Sequence, residues 1–190
     1  MKIGILGLQG CFRPHIEKLQ KLAIDTSLVL SVDDFKDVDG LIVPGGESST
    51  MLKLCPDDLW QAMTQSPIPV WGVCAGSILL AEKTINPEQK SLGLIDMDIT
   101  RNAYGAQNES FVDEVTVFIE DEPQAIKGVF IRAPKISRYG KLSILAKFAD
   151  EVVAVENDQH MVTTFHPELS DSTIFHEYFT KKVDKFHLAI

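Results

Sequence analysis

Short apolar runs alternate with stretches of helical spacing through the first half of this 190-residue chain. Residues 2–8 (KIGILGL) are almost continuously apolar and read as a buried strand. Over 13–23 the apolar positions fall at Ile16, Leu19, Leu22 and Ala23, which predicts a helix. Two further strands are expected at 27–32 (SLVLSV) and 40–46 (GLIVPGG), the second ending in a Pro-Gly-Gly turn. A helical stretch covers 49–65, interrupted near Pro56. IPVWGV at 68–73 predicts a fourth strand, and AGSILLAEK at 75–83 the start of a fourth helix. Strands alternating with helices imply crossover connections. The expected fold is therefore three-layer α/β, with a mostly parallel central sheet flanked by helices.

The second half has a different pattern. Segments 93–101, 112–119, 127–133 and 142–156 are rich in β-branched residues with little helical spacing between them, so they predict a mixed or antiparallel extension of the sheet. MVTTFHPEL (161–169) reads as a last strand feeding a loop. Phe175, Tyr178, Phe179, Val183 and Phe186 then line one face of a closing helix. With no internal repeat and no long linker, residues 1–190 are expected to form a single domain.

Composition narrows the function classes. Hydrophobic residues make up 45% and charged residues 24%, an ordinary globular balance. A net charge of −9 argues against nucleic acid, whose binders neutralise phosphates; the basic KKVDK at 181–185 reads as the solvated face of the closing helix. The apolar start is too short and glycine-broken for a signal peptide, and no run approaches the roughly 18 apolar residues of a membrane span, so a cytoplasmic location is expected. Three cysteines, at 11, 55 and 74, have no disulfide-framework spacing, and neither CxxC nor HExxH occurs, so no metal site is expected.

Candidate chemistry begins at Gly72-Val73-Cys74-Ala75-Gly76, a G-x-nucleophile-x-G string at a strand-to-helix junction. A sharp turn there strains the nucleophile's backbone and crowds the positions two residues away, where glycine removes the clashing Cβ. It also sets the sulfur at a helix N-terminus, whose free amides favour a thiolate. Cys55 and Cys11 read as structural. His166, 92 residues downstream of Cys74 at the end of a predicted strand, supplies a base, and Glu168 an acceptor to orient its ring. PGGESST (44–50) is a glycine turn at another strand end, so Gly46 is the expected second oxyanion donor beside the amide of Ala75.

Six blocks in order, GILGLQG (4–10), LIVPGGESST (41–50), GVCAG (72–76), RNAYGAQ (101–107), VFIRAP (129–134) and FHPEL (165–169), resemble the glutaminase subunit of pyridoxal 5′-phosphate synthase, a class I (triad) glutamine amidotransferase. The resemblance implies a flavodoxin-like fold and hydrolysis of L-glutamine to glutamate and ammonia through Cys74, His166 and Glu168, without a cofactor. It further implies a glutamine site formed by Gly46, Glu47, Ser48, Arg101, Ile131 and Arg132. The ammonia would pass to a separate synthase subunit as partner, with Gln9 a candidate interface or oxyanion-loop residue. Ala106, Ser77, Cys11 and Pro14 depart from the family's usual residues. The alternatives are a class I glutaminase of histidine or nucleotide synthesis, a peptidase or chaperone-like relative of the fold, and a regulatory subunit without turnover. Alanine rather than histidine at position 75 weighs against the peptidases.

Overall fold

The computed structural model describes residues 1–101, 110–119 and 122–189. Five parallel strands form one half of a nine-stranded sheet: β1 (Lys2–Leu6), β2 (Asp25–Val29), β3 (Gly40–Val43), β4 (Val70–Val73) and β12 (Met161–Thr163), side by side in the order β2-β1-β3-β4-β12. Beyond β12 the sheet continues antiparallel through β11 (Glu151–Glu156), β10 (Ser143–Phe148), β7 (Phe111–Val117) and β8 (Gln124–Phe130). A separate three-stranded sheet joins β5 (Ala81–Ile85), β6 (Ile95–Thr100) and β9 (Lys135–Tyr139).

Helices cover both faces of the large sheet, because its central strands are apolar on both. Ile42, Trp71 and Met161 face α1 (Phe12–Lys21) and α6 (Ile174–Leu188), in one cluster with Leu19, Phe175, Phe179 and Val183. Their neighbours Val43, Val70 and Val162 face α2 (Val32–Lys36), α3 (Ser48–Leu54), α4 (Asp57–Thr64) and α5 (Ala75–Leu80). The expected three-layer α/β architecture with an antiparallel extension is the observed one, except that segment 93–101 joins the separate small sheet, where β6 pairs with β5 and β9, rather than the extension.

Local differences have local causes. The strand expected at 27–32 ends at Val29, because Ser31 and Asp34 form a reciprocal capping box that starts α2. The helical stretch at 49–65 is two helices, broken where Cys55 turns extended before Pro56. The helix expected over 75–83 stops at Leu80: from Ala81 the chain pairs with Ile95–Thr100 as a strand. The segment 142–156 is a hairpin turning at Ala149, which has φ +49°. The strand at Lys135–Tyr139 was not expected from the pattern. Arg138 on it reaches Asp96 and Asp98 on the adjoining β6 and Glu82 on β5 beyond it. RNAYGAQ from position 102 onward, with Ala106, lies outside the described residues.

Candidate active site

Parallel strands bring their carboxyl ends to one edge, and the order β2-β1-β3 reverses direction there, which opens a crevice beyond the strand ends. The segments after β1, β3, β4 and β12 meet in a cleft of about 290 Å³. Gln9, Gly46, Glu47, Ser48, Cys74, Ala75, Arg101, Ile131, Arg132 and His166 all line it. Cys11, Gly45, Ile78 and Leu169 complete the lining.

Cys74 caps α5 with φ +47° and ψ −102°, outside the usual backbone regions for a side-chain-bearing residue. Its flanking glycines are required by contact. A Cβ on Gly72 would lie 2.6 Å from the Gly76 carbonyl oxygen, and one on Gly76 would lie 2.0 Å from that of Val43. The Cys74 amide donates to Thr163 O at 2.8 Å, which locks the turn to β12, the strand leading to His166. Ser77, fully buried, donates its hydroxyl to Cys74 O at 2.6 Å, so its small polar side chain fastens the same turn. The Cys74 sulfur lies 3.8 Å from Ile131 O.

His166 is anchored through its amide to Val129 O and crosses close to the glycine turn, where a Cβ on Gly45 would come within 2.2 Å of its Cε1. Its Nδ1 is 2.7 Å from Glu168 Oε1, and Glu168 is 3% exposed, directly behind the ring. Burial works against a charged His166. Hydrogen bonding and charge interaction with Cys74 and Glu168 outweigh burial and push it up to about 10. Burial alone would raise the Glu168 carboxyl, but His15 and His166 more than offset that and hold it below its ordinary value.

The outer end of the cleft is a polar frame. Arg101 donates to Glu47 Oε1 at 3.0 Å and to Gln89 Oε1 at 2.8 Å, and Ser48 donates to the same Gln89 oxygen at 3.0 Å. Glu47 caps α3 through its other oxygen, accepting from the Ser49 hydroxyl and from the Thr50 hydroxyl and amide. Burial raises the Glu47 carboxyl, and these donors reverse that, holding it down to about 2. Gln9 Oε1 accepts from the Glu47 amide at 2.9 Å, and the Cys11 amide donates to Gly45 O at 2.8 Å, so the segment after β1 holds the glycine turn from both sides.

Sequence reasoning missed Gln89, which sits in the polar segment NPEQK with no periodicity to mark it. It also missed His15 and His176, which look like ordinary helix residues until the fold sets them behind Glu168. Among the described residues no cluster of three or more His, Cys, Asp or Glu side chains could hold a metal, and no helix is long and apolar enough to cross a membrane.

The SNO glutamine amidotransferase family model matches residues 5–185. A protein of Pseudothermotoga lettingae named pyridoxal 5′-phosphate synthase subunit PdxT is 43% identical, with all of both chains covered. A protein of the same name from Thermosipho africanus is 41% identical over 97% of this chain and all of its own. A crystal structure described as a glutamine amidotransferase superposes with a TM-score of 0.85 at 36% identity, covering 96% of this chain and 98% of that one.

Proposed function

The chain belongs to the SNO glutamine amidotransferase family, and on that premise we propose that it hydrolyses L-glutamine to L-glutamate and ammonia for a pyridoxal 5′-phosphate synthase. Cys74, His166 and Glu168 are the catalytic residues of this reading, acting within one domain over 1–190 in the cytoplasm. The observation that carries it is the row formed by the strained Cys74, His166, and Glu168 at 2.7 Å behind the ring.

Glutamine enters with its α-carboxylate toward Arg101, whose planar fork suits a carboxylate. Ser48 and Glu47 border the same end, and Ile131 and Arg132 line the cleft with them. The Cys74 sulfur attacks the side-chain amide carbon, and the carbonyl electrons move onto oxygen. The amides of Ala75 and Gly46 stabilise that oxyanion, each contributing about 3 kcal/mol. His166 holds a proton through the neutral range because Cys74 and Glu168 raise it, and that proton goes to the departing nitrogen as the C–N bond breaks. Once the sulfur is a thioester it no longer supports a charged imidazole, so His166 is released to take a proton from water. The resulting hydroxide expels the sulfur and yields glutamate, while Glu168 keeps the ring aimed throughout.

The partner is the synthase subunit, which consumes the ammonia, and Gln9 belongs to the loop we assign to that contact. The test is glutamate release with and without added synthase subunit. A low rate alone and a higher rate in the mixture are expected, and equal rates would remove the partner from the reading. Cys74→Ala should abolish release in both conditions while still binding the synthase. Full activity in that variant would end the mechanism.

A further inference from the structure

Behind the catalytic row lies a second, fully enclosed row. His15 on α1 and His176 on α6 are both 0% exposed, and their Nδ1 and Nε2 atoms are 3.0 Å apart. His15 Nε2 faces Glu168 Oε2 at 3.7 Å. Trp71 closes the space, its ring edge-on to both imidazoles at centroid distances of 5.5 and 5.0 Å. Glu168 Oε2, His15 Nε2 and His176 Nδ1 are buried without a hydrogen-bond partner among the described residues.

Protonation follows from these contacts. Burial drives His15 and His176 down to about 3, so both rings are neutral and each carries one proton. If the His15 proton sat on Nδ1, its Nε2 lone pair would point at a carboxylate oxygen in a dry interior, which is repulsive. The proton therefore belongs on His15 Nε2, directed at Glu168 Oε2. His15 Nδ1 is then an acceptor, and the contact to His176 requires a proton on His176 Nε2. The atom left over, His176 Nδ1, is a lone pair, a milder orphan than a buried N–H.

We propose that His15 and His176 are positioning residues for the glutaminase reaction, forming with Glu168 and His166 one row of polar contacts in which every donor points toward the Glu168 carboxylate. The inference rests on the glutaminase reading of the cleft. A buried carboxylate with one oxygen bonded to His166 and the other unsupported is free to rotate or to take up a proton, and either change turns the His166 ring away from Cys74. The His15 N–H, facing Oε2 at 3.7 Å, sets the positive end of its dipole against that oxygen and opposes both changes. Helix α1 is held for this task by Lys18, which donates to Ser170 O at 2.5 Å and Ser172 O at 3.0 Å just beyond Glu168.

The groups facing this row are Cys11, His15 and Lys18 from the α1 side, His176 from α6, and His166. His15→Phe removes the donor and keeps an aromatic ring beside Trp71, whereas His15→Gln keeps a donor at the same reach. In the presence of the synthase subunit, His15→Phe should lower kcat by roughly tenfold to a hundredfold with little change in KM. Its Glu168 should also protonate at higher pH, moving the acid limb of the kcat/KM profile upward. His15→Gln should recover most of both. In nitrogen NMR of the labelled wild-type protein, His15 and His176 should appear as neutral Nε2–H forms that do not titrate between about pH 5 and 8. Those spectra need no turnover, so they stand even if glutamate release fails. A proton on His15 Nδ1, titration of either ring in that range, or equal losses in Phe and Gln variants with an unmoved pH profile would overturn the proposal.

Discussion

At the inner end of the cleft the His166 and Glu168 side chains keep 6% and 0% of their surface in solvent, while at the outer end Arg101 and Glu47 keep 15% and 39%. Both ends hold a cation against a carboxylate, yet they are built for different work. In the dry interior each proton is decided by its neighbours, and geometry and protonation cannot change separately. At the wetter end, water screens the pair, and its arrangement depends on the network through Gln89, Ser49 and Thr50. On the proposed glutaminase reading the difference separates chemistry from recognition within one crevice, and substitutions can test it directly.

The largest effect is expected where the two ends join, at the elbow. Gly76→Ala drives a Cβ to 2.0 Å from Val43 O, backbone that cannot yield without moving β3. A loss of roughly 3–5 kcal/mol of stability and of all activity is expected, read by thermal unfolding and glutamate release. Next comes the inner end alone. Glu168→Gln keeps the volume but removes the charge supporting a protonated His166, so kcat should fall by roughly a hundredfold or more with KM nearly unchanged. If KM moved instead, the separation would be wrong.

The outer end should show the converse. Arg101→Lys replaces a planar fork by a point charge and should raise KM for glutamine about tenfold while kcat changes little. Its pH behaviour follows from Glu47. That carboxyl is lowered to about 2 from 4.5, so its contribution is present above 4.5 and is lost as pH falls through about 2. KM should therefore be flat from about pH 5 to 8, checked by steady-state titration. His166, raised from 6.5 to about 10, behaves oppositely: its contribution to stability is complete below 6.5 and fades as pH rises through about 10. The smallest change is Ser77→Ala. Cys74 O keeps the amides of Ser77 and Ile78, so only about 1 kcal/mol should be lost, with activity retained.

Much of this organisation is legible along the chain. Most of the parallel half could be read because β1, β3 and β4 are short apolar runs that end in glycine or a polar loop, as at GLIVPGG and VWGVCAG. Where local signals compete, the reading failed. Ser31 belongs to a strand-like run but caps a helix, and AEK after α5 has helical propensity but is captured by pairing with β6. Lys135–Tyr139 is a strand because of its neighbours on the small sheet rather than its own pattern.

The chemistry divides along the same line. A cysteine between two glycines is legible as a local string, because Gly72 is needed for the close approach of Gly76 itself, while the need for Gly76 is set by Val43 O on β3. That, with a glycine turn and a His-Pro-Glu segment at other strand ends, is what the sequence by itself determined. Only the tertiary structure decided that Gln9 and Gln89 hold the cleft's outer frame, or that His15 and His176, 161 positions apart, meet behind Glu168. Contacts at such separations leave no periodicity in the chain. They exist because parallel strands bring their carboxyl ends to one edge, and because α1 and α6 share the face that Trp71 fills.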